Sequence, residues 1–449
     1  MKLNVVFLYT NASRYIGIPL GVASLCSVVN ERGHTCDIFD ATFMDDTFLG
    51  QAFIQYLEGH DCDVLLVHCT SADWWLVKIL LDRLHRELSA RRPITIVGGQ
   101  HPTILPEKVL KEPGIDIVVL GEGEVVLGEI LDYLQQGKDL THIKNCWVKI
   151  RGQIVQNPLR RLVSDLDNLP YPQWGLFDEK HRTQYTDDGK LTGVRPIFIE
   201  TSRGCPYRCS FCMNAYYREL YSGLGSYCRA KSARRIVSEA KLARDTLGIN
   251  YIQFVDDNFL IYEDRLKELS IIFPMEVGLP FSVQASADKI DKNSVVLLKD
   301  MGIDMLAMGI ETGNEQYRTK ILGKKITDKQ ILNAITLSKE YGIGIMAYYM
   351  IGLPFETLEE IDWTIAFNKL AQPDVCLVSW FFPFPGTPLH NESDDKELLD
   401  EIDFGPDIFH GSTMRQNGLT KERFDELRMR FGNAVTVFGP LSSRDRRKV

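Results

Sequence analysis

Three cysteines, Cys205, Cys209 and Cys212, fall within eight residues in C-x3-C-x2-C spacing. A loop this short cannot disperse three thiols; it converges them on a soft metal or an iron–sulfur cluster. A zinc site normally takes four ligands in C-x2-4-C pairs. The nearest further thiol, Cys228, lies sixteen residues on and has no paired partner. A disulfide is the other alternative, a weak one in a cytosolic chain. Three thiolates on a four-iron cluster leave one iron open to a non-protein ligand, and an open iron implies reaction rather than storage.

The triplet must be positioned by what precedes it. The run Pro196–Thr201 reads as a strand, and from there apolar strands alternate with amphipathic helices. The strands are Tyr251–Val255, Phe281–Ala285, Met305–Gly309, Gly344–Met350 and Val375–Phe382, with helices Ala233–Thr246, Glu263–Phe273, Lys292–Met301, Thr327–Tyr341 and Thr357–Leu370 between them. Six such units predict a partial (β/α)6 barrel, whose chemistry belongs at the C-terminal ends of the strands. Those ends read Val255-Asp256-Asp257-Asn258, Gln284 to Asp288, Gly309-Ile310-Glu311-Thr312-Gly313, Gly352-Leu353-Pro354 and Pro385-Gly386-Thr387-Pro388. Taken singly, each is also ordinary turn or helix-cap chemistry.

Upstream lies a second α/β pattern. Buried-type strands at Asn4–Tyr9, Thr35–Asp40, Val64–His68, Ile94–Gly98 and Ile115–Leu120 alternate with helices such as Pro19–Arg32, Trp74–Leu88 and Val125–Gln135. Continuous Val/Ile/Leu runs separated by helices predict a doubly wound parallel sheet, with ligands beyond its carboxyl edge. Four turns on that edge are small and polar: Thr10 to Ser13, Cys69-Thr70-Ser71, Gly98-Gly99-Gln100-His101-Pro102-Thr103 and Gly121-Glu122-Gly123-Glu124. No G-x-G-x-x-G follows the first strand, so the nicotinamide dinucleotide fingerprint is absent. We divide the chain into a first domain at 1–140, a connector at 141–190 that includes a hairpin around Arg151-Gly152, a barrel at 191–390 and a C-terminal helical segment and tail at 391–449.

Composition narrows the class. The 449 residues are 45% hydrophobic and 25% charged, ordinary for a globular protein. A net charge of −9 gives no footprint for nucleic acid. No apolar run reaches the length of a membrane span, and the start MKLNVVFLYTNASRY does not read as a signal peptide. The expected location is the cytoplasm.

The triplet, with Phe211 before Cys212, resembles the C-x3-C-x-aromatic-C signature of the radical S-adenosylmethionine (SAM) enzymes. The resemblance implies a [4Fe–4S] cluster on Cys205, Cys209 and Cys212, with SAM on the open iron, cleaved by one electron to methionine and a 5′-deoxyadenosyl radical. It implies that Asp256, Asp257 and Asn258 receive the SAM amino group, that Gln284 lines the cofactor, that Glu311 lies near the ribose or reacting centre as the catalytic candidate, and that Gly352 belongs to the turn beside the adenine. An electron donor of flavodoxin or ferredoxin type is implied as partner.

A doubly wound domain ahead of such a barrel resembles the cobalamin (B12)-binding radical SAM class. On that resemblance Thr70, Ser71, Gly98, Gly99, His101, Gly121, Glu122 and Glu124 contact a corrinoid lying between the domains. The D-x-H-x-x-G motif that supplies a cobalt-ligating histidine in many cobalamin proteins is absent, and His101 reads as a turn or tail contact. Cys26, Cys36, Cys62 and Cys69 are scattered, unlike the second cysteine triplet of the methylthiotransferases, and no cysteine follows Cys376 to build an auxiliary cluster. The expected activity is cobalamin-dependent methyl transfer to a small biosynthetic intermediate. A radical SAM oxidoreductase, cyclase or rearrangement enzyme is the alternative, and an iron–sulfur sensor is the third reading.

Overall fold

The computed structural model describes residues 2–184, 191–399 and 420–431. Of the C-terminal helical segment and tail expected at 391–449, residues 400–419 and 432–449 lie outside the described residues.

The first sheet contains β1 (Asn4–Tyr9), β2 (Thr35–Asp40), β3 (Val64–His68), β4 (Ile94–Gly98), β5 (Ile117–Val119), β6 (Cys146–Ile150) and β7 (Gln153–Gln156), in the order β2-β1-β3-β4-β5-β6-β7. Strands β1 to β5 are parallel; β6 and β7 run antiparallel and add the connector's hairpin to this sheet. Alternation along β1 builds two cores. Val5 and Phe7 face the helices Leu20–Glu31 and Glu124–Gln135, packing with Val22, Cys26, Val29, Val126 and Ile130. Val6 and Leu8 face the opposite layer, where Phe53, Leu57, Val77 and Leu81 sit. Each such side chain removed from water contributes about 1.5–3 kcal/mol.

The second sheet is β8 (Pro196–Ile199), β11 (Tyr251–Phe254), β12 (Phe281–Gln284), β13 (Ile303–Glu311), β14 (Gly344–Ile351) and β15 (Val375–Trp380), parallel throughout and in sequence order. A short ribbon, β9 (Ser202–Arg203) with β10 (Arg229–Ala230), leaves the end of β8. The barrel is partial, running from β8 at one edge to β15 at the other. Several of its helices begin where side chains satisfy their free amides. Ser232 caps Ala233–Leu247, and full capping boxes start Lys292–Met301, Asp328–Glu340 and Leu358–Ala371.

The two sheets share one continuous apolar cluster, which includes Trp174 and Phe177 of the connector. Tyr15, in the turn after β1, stacks on Phe198 of edge strand β8 with centroids 5.9 Å apart. His181 Nε2 lies 2.6 Å from Asp40 Oδ2, tying the connector to the end of β2.

Candidate functional site

The cysteine loop leaves β9 and ends in a helix, Met213–Leu220, that begins at Cys212. Sequence reasoning did not anticipate this helix. All three thiols are free and half-buried. They interact with one another electrostatically, and burial pushes Cys205 up to about 12 and Cys209 up to about 11. Among the described residues no three His, Cys, Asp or Glu groups converge on a point where one ion could sit. A four-iron cluster asks for less convergence, because each thiolate binds a different iron. Asn214 Nδ2 lies 3.6 Å from the Cys212 sulfur and donates to Asp257 Oδ1 at 2.9 Å, while Tyr227 holds the Asn214 carbonyl from the other side at 2.7 Å. The loop is strapped down at Ser210, whose amide and hydroxyl donate to the carbonyls of Leu322 and Ile321 at 2.9 and 2.6 Å. Phe211 packs into an apolar cluster with Tyr317, Leu322, Leu353, Phe381 and Leu389.

Three acids at the ends of β11 and β13 take different roles. Asp256 is buried and accepts from Thr201 Oγ1 at 2.8 Å and from the Ser202 hydroxyl, so it ties β11 to the end of β8. Its pKa is pushed up to about 6 by burial. Asp257 is exposed beside the thiols and raises the Cys205 and Cys212 pKa values through its charge. Glu311 ends β13 at a bulge in left-handed backbone, φ +69°. Its carboxylate meets Lys324 Nζ at 2.7 Å, and both charges act on Cys209. A Cβ on Gly309 would lie 2.2 Å from Glu311 Oε1, so glycine is what lets this side chain fold back along the strand. Left-handed backbone at a non-glycine residue costs about 1–3 kcal/mol and clusters at functional sites. Asn258 is buried with Nδ2 unpartnered among the described residues, and Gln284 is exposed at the end of β12. Gly352 opens a turn whose amide donates to Glu356 Oε2 at 2.7 Å. Lys324 was missed in the sequence, because its pairing with Glu311 spans thirteen residues and no local pattern marks it.

The corresponding edge of the first sheet faces this loop. Thr103 Oγ1 donates to the Gly99 carbonyl at 2.7 Å and accepts from the Gly121 amide at 3.0 Å, joining the turns after β4 and β5. The Cys69 amide donates to the Gly98 carbonyl, and the Cys69 carbonyl accepts from the His101 amide. Thr70 is held by Asp73; Ser71 lies 3.1 Å from the buried His101 ring, which stacks on Trp74. Tyr216 and Tyr221, on and just after the cluster helix, reach this edge: Tyr216 donates to the Thr103 carbonyl at 3.2 Å, and Tyr221 Oη accepts from the Glu122 amide at 3.3 Å. Gly121 lies so close beneath Tyr221 that a Cβ would sit 1.5 Å from its hydroxyl oxygen. Glu122 and Glu124 are committed to arginines of the barrel: Arg203 to Glu124 at 2.6 Å and to Glu122 at 3.3 Å, and Arg229 to Glu122 at 2.7 Å. Arg203 and Arg229 were not singled out in the sequence.

Residues 199–367 match the model of the Radical SAM superfamily, and residues 8–131 match that of the B12 binding domain. The chain is 30% identical over 417 residues to the uncharacterized methyltransferase PH0819 of Pyrococcus horikoshii, covering 92% of this chain and 86% of that protein. The chain belongs to the B12-binding radical SAM family. Other relatives of this radical SAM enzyme include the anaerobic magnesium-protoporphyrin IX monomethyl ester cyclase of Rubrivivax gelatinosus, 26% identical over 79% of this chain and 64% of that one. The fold matches that of the radical SAM methyltransferase TsrM from Kitasatospora setae, solved with cobalamin and a [4Fe–4S] cluster, with TM-score 0.71 and 18% identity over 95% of this chain and 82% of that one.

The residues of this radical SAM protein fit its family's cofactors. Three mutually interacting thiols on one loop match a cluster's donor set. On the B12-domain edge, Thr10 Oγ1 and His68 Nδ1 are buried without partners among the described residues, at the ends of the adjacent strands β1 and β3, the switch point where doubly wound sheets bind ligands. Among the described residues no helix is long and apolar enough to cross a membrane.

His101 gives this edge an acid sensitivity. Burial lowers its pKa from 6.5 to about 4, so the folded state keeps the ring neutral where the unfolded chain protonates it. Stability is full above pH 6.5 and falls as pH drops toward 4, by about 2 kcal/mol at pH 5. Denaturant titrations at pH 7 and pH 5 measure this. His101→Gln should lose that part of the slope; an unchanged slope would place the acid sensitivity elsewhere.

Proposed function

We propose that this radical SAM enzyme is a cobalamin-dependent methyltransferase acting on a small biosynthetic intermediate. The observation that carries the reading is the contact of the cluster helix with the B12-domain edge, Tyr216 on Thr103 and Tyr221 over Gly121, which sets the two cofactor-bearing edges against each other. When bound, the cluster and SAM supply one-electron cleavage and hydrogen abstraction, and cobalamin supplies a methyl group. In this reading Cys205, Cys209 and Cys212 hold the cluster. Asp257, Gln284, Glu311 and the Gly352 turn bind SAM, while Asp256 and Asn258 shape the turn beneath it. Lys324 offsets negative charge at the thiols and orients Glu311. The backbone of Thr70, Ser71, Gly98, Gly99 and Gly121 lines the corrinoid edge; His101 supports it from inside, and Glu122 and Glu124 hold it to the barrel. The electron comes from a donor of flavodoxin or ferredoxin type in the reducing cytoplasm.

The test is anaerobic reconstitution with iron, sulfide and hydroxocobalamin, followed by incubation with SAM, reductant and cell extract under mass spectrometry. The expected result is retained corrinoid absorbance and a product heavier by one methylene unit. A protein that retains no corrinoid overturns the reading. Substrate-dependent 5′-deoxyadenosine without methylated product assigns the cyclase or oxidoreductase reading instead, which the similarity to the Rubrivivax cyclase supports.

A further inference from the structure

We propose that Lys320, Lys325 and Lys329 form the docking surface for an acidic protein that delivers single electrons to the cysteine loop. The proposal rests on the radical SAM reading and adds where the donor binds. The chain has a net charge of −9, yet Arg318–Lys329 carries five basic residues against one acid, Asp328. Two of the five are used internally. Arg318 is fully buried on Asp328 and on the carbonyls of Thr312 and Ile326, and Lys324 pairs with Glu311. Lys320, Lys325 and Lys329 are exposed. Among the described residues they have no ion-pair partner.

Their position is what turns a solvated basic segment into a candidate surface. The backbone between them is bonded to the cysteine loop through Ser210, on the carbonyls of Ile321 and Leu322. A Cβ on the exposed Gly323 would lie 3.3 Å from the Arg208 carbonyl. Arg208, between Cys205 and Cys209, is exposed there as well, so the loop that carries the thiols reaches solvent beside the lysines. The acids of the same region are already committed: Glu311 to Lys324, Asp328 to Arg318, and Glu315 to the Asp328 amide. On the helix Pro388–Asp395, whose Leu389 amide bonds the Ser210 carbonyl, Glu392 pairs with Lys396, and Asp394 and Asp395 close the C-terminal end.

Electron transfer weakens steeply with distance, so a donor must bind where the loop meets solvent. A positive patch there draws an acidic protein by electrostatic steering, which raises association rates tenfold or more at low salt. The donor is oxidised and the cluster held by Cys205, Cys209 and Cys212 is reduced, by one electron each; no atom is transferred.

The test measures the affinity of the protein for an acidic flavodoxin by titration calorimetry, which should fall about tenfold in the Lys320→Glu/Lys325→Glu/Lys329→Glu variant; it also compares two reductants on the reconstituted holoenzyme, with 5′-deoxyadenosine as the readout. One is an acidic flavodoxin kept reduced by its reductase; the other is titanium(III) citrate. For Lys320→Glu/Lys325→Glu/Lys329→Glu the flavodoxin-driven rate at limiting donor should fall by about tenfold and lose most of its salt dependence. The titanium-driven rate should match wild type. The triple alanine variant should show the same ordering with a smaller loss, which keeps the test open if the glutamates disturb folding. An equal loss with both reductants, or no loss with flavodoxin, overturns the proposal. A wild-type protein that cleaves no SAM with titanium(III) overturns the enzyme reading beneath it.

Discussion

Cys209→Ala should abolish reductive cleavage of SAM while leaving the protein folded. Cys209 is one of three free thiols on the loop, and none of the three is deep in a core. The loop's attachment runs through Ser210 to Ile321 and Leu322, and through the Leu389 amide to the Ser210 carbonyl, so the backbone keeps its place without the sulfur. With the proposed ligand set, the cluster should not keep its place. Two thiolates cannot hold what three hold, and the open iron that receives SAM depends on the other three being filled. The variant should lose the broad iron–sulfur absorbance, and 5′-deoxyadenosine should fall below detection. Its apoprotein should unfold within about 0.5 kcal/mol of wild type, as for a substitution outside the packed core. Cys146→Ala is the control: Cys146 is 1% exposed, in strand β6, and its loss should lower stability while leaving cluster absorbance unchanged. Full SAM cleavage by Cys209→Ala would remove the loop from the chemistry.

The second large effect is at Arg203. Its guanidinium lies between Glu124 at 2.6 Å, Glu200 at 2.9 Å and Glu122 at 3.3 Å, joining the B12 domain to the strand that feeds the cysteine loop. Glu124 is 7% exposed, and its carboxylate is held below the usual range by Arg203 despite the burial that opposes it. Arg203→Met leaves that buried carboxylate with no bonded counter-charge and only the weaker field of Arg229, which costs up to about 3–5 kcal/mol. Arg203→Met/Glu124→Met should recover part of the loss, because replacing both partners by apolar groups removes the stranded charge. Denaturant unfolding of the two single variants and the double variant measures this. Additive losses would mean that the pair does not couple the domains.

Much of the barrel was readable because its information is local. Continuous apolar strands and amphipathic helical patterns mark the elements one by one; the structure starts Ala233–Leu247 and Lys292–Met301 where the pattern does, and turns Thr327 and Thr357, read as the first helical residues, into the caps of Asp328–Glu340 and Leu358–Ala371. The hairpin at Trp147–Ile150 and Gln153–Gln156 was equally legible as a hairpin. Its membership of the first sheet was not, since pairing of β6 with β5 joins Val148 to Ile117 across thirty-one positions. Likewise the strand ending near Gly309 runs on to Glu311, and only the bulge and the backbone at φ +69° show how that carboxylate is aimed.

The sequence by itself determined the family and marked the candidate ligands: the cysteine triplet lies within eight residues, and the chemistry proposed for it follows from residue type and spacing. The tertiary structure alone decided which polar residues share a place. It buried Asp256 as a tie between strands and left Asp257 beside the thiols, although the two are adjacent and chemically alike. It brought Lys324 to Glu311, and Arg203 and Arg229 to Glu122 and Glu124. The reason is physical. A charge's partner is chosen by the path of the backbone through space, and a carboxylate's role is set by its desolvation and its neighbours, neither of which is written in the residues on either side of it.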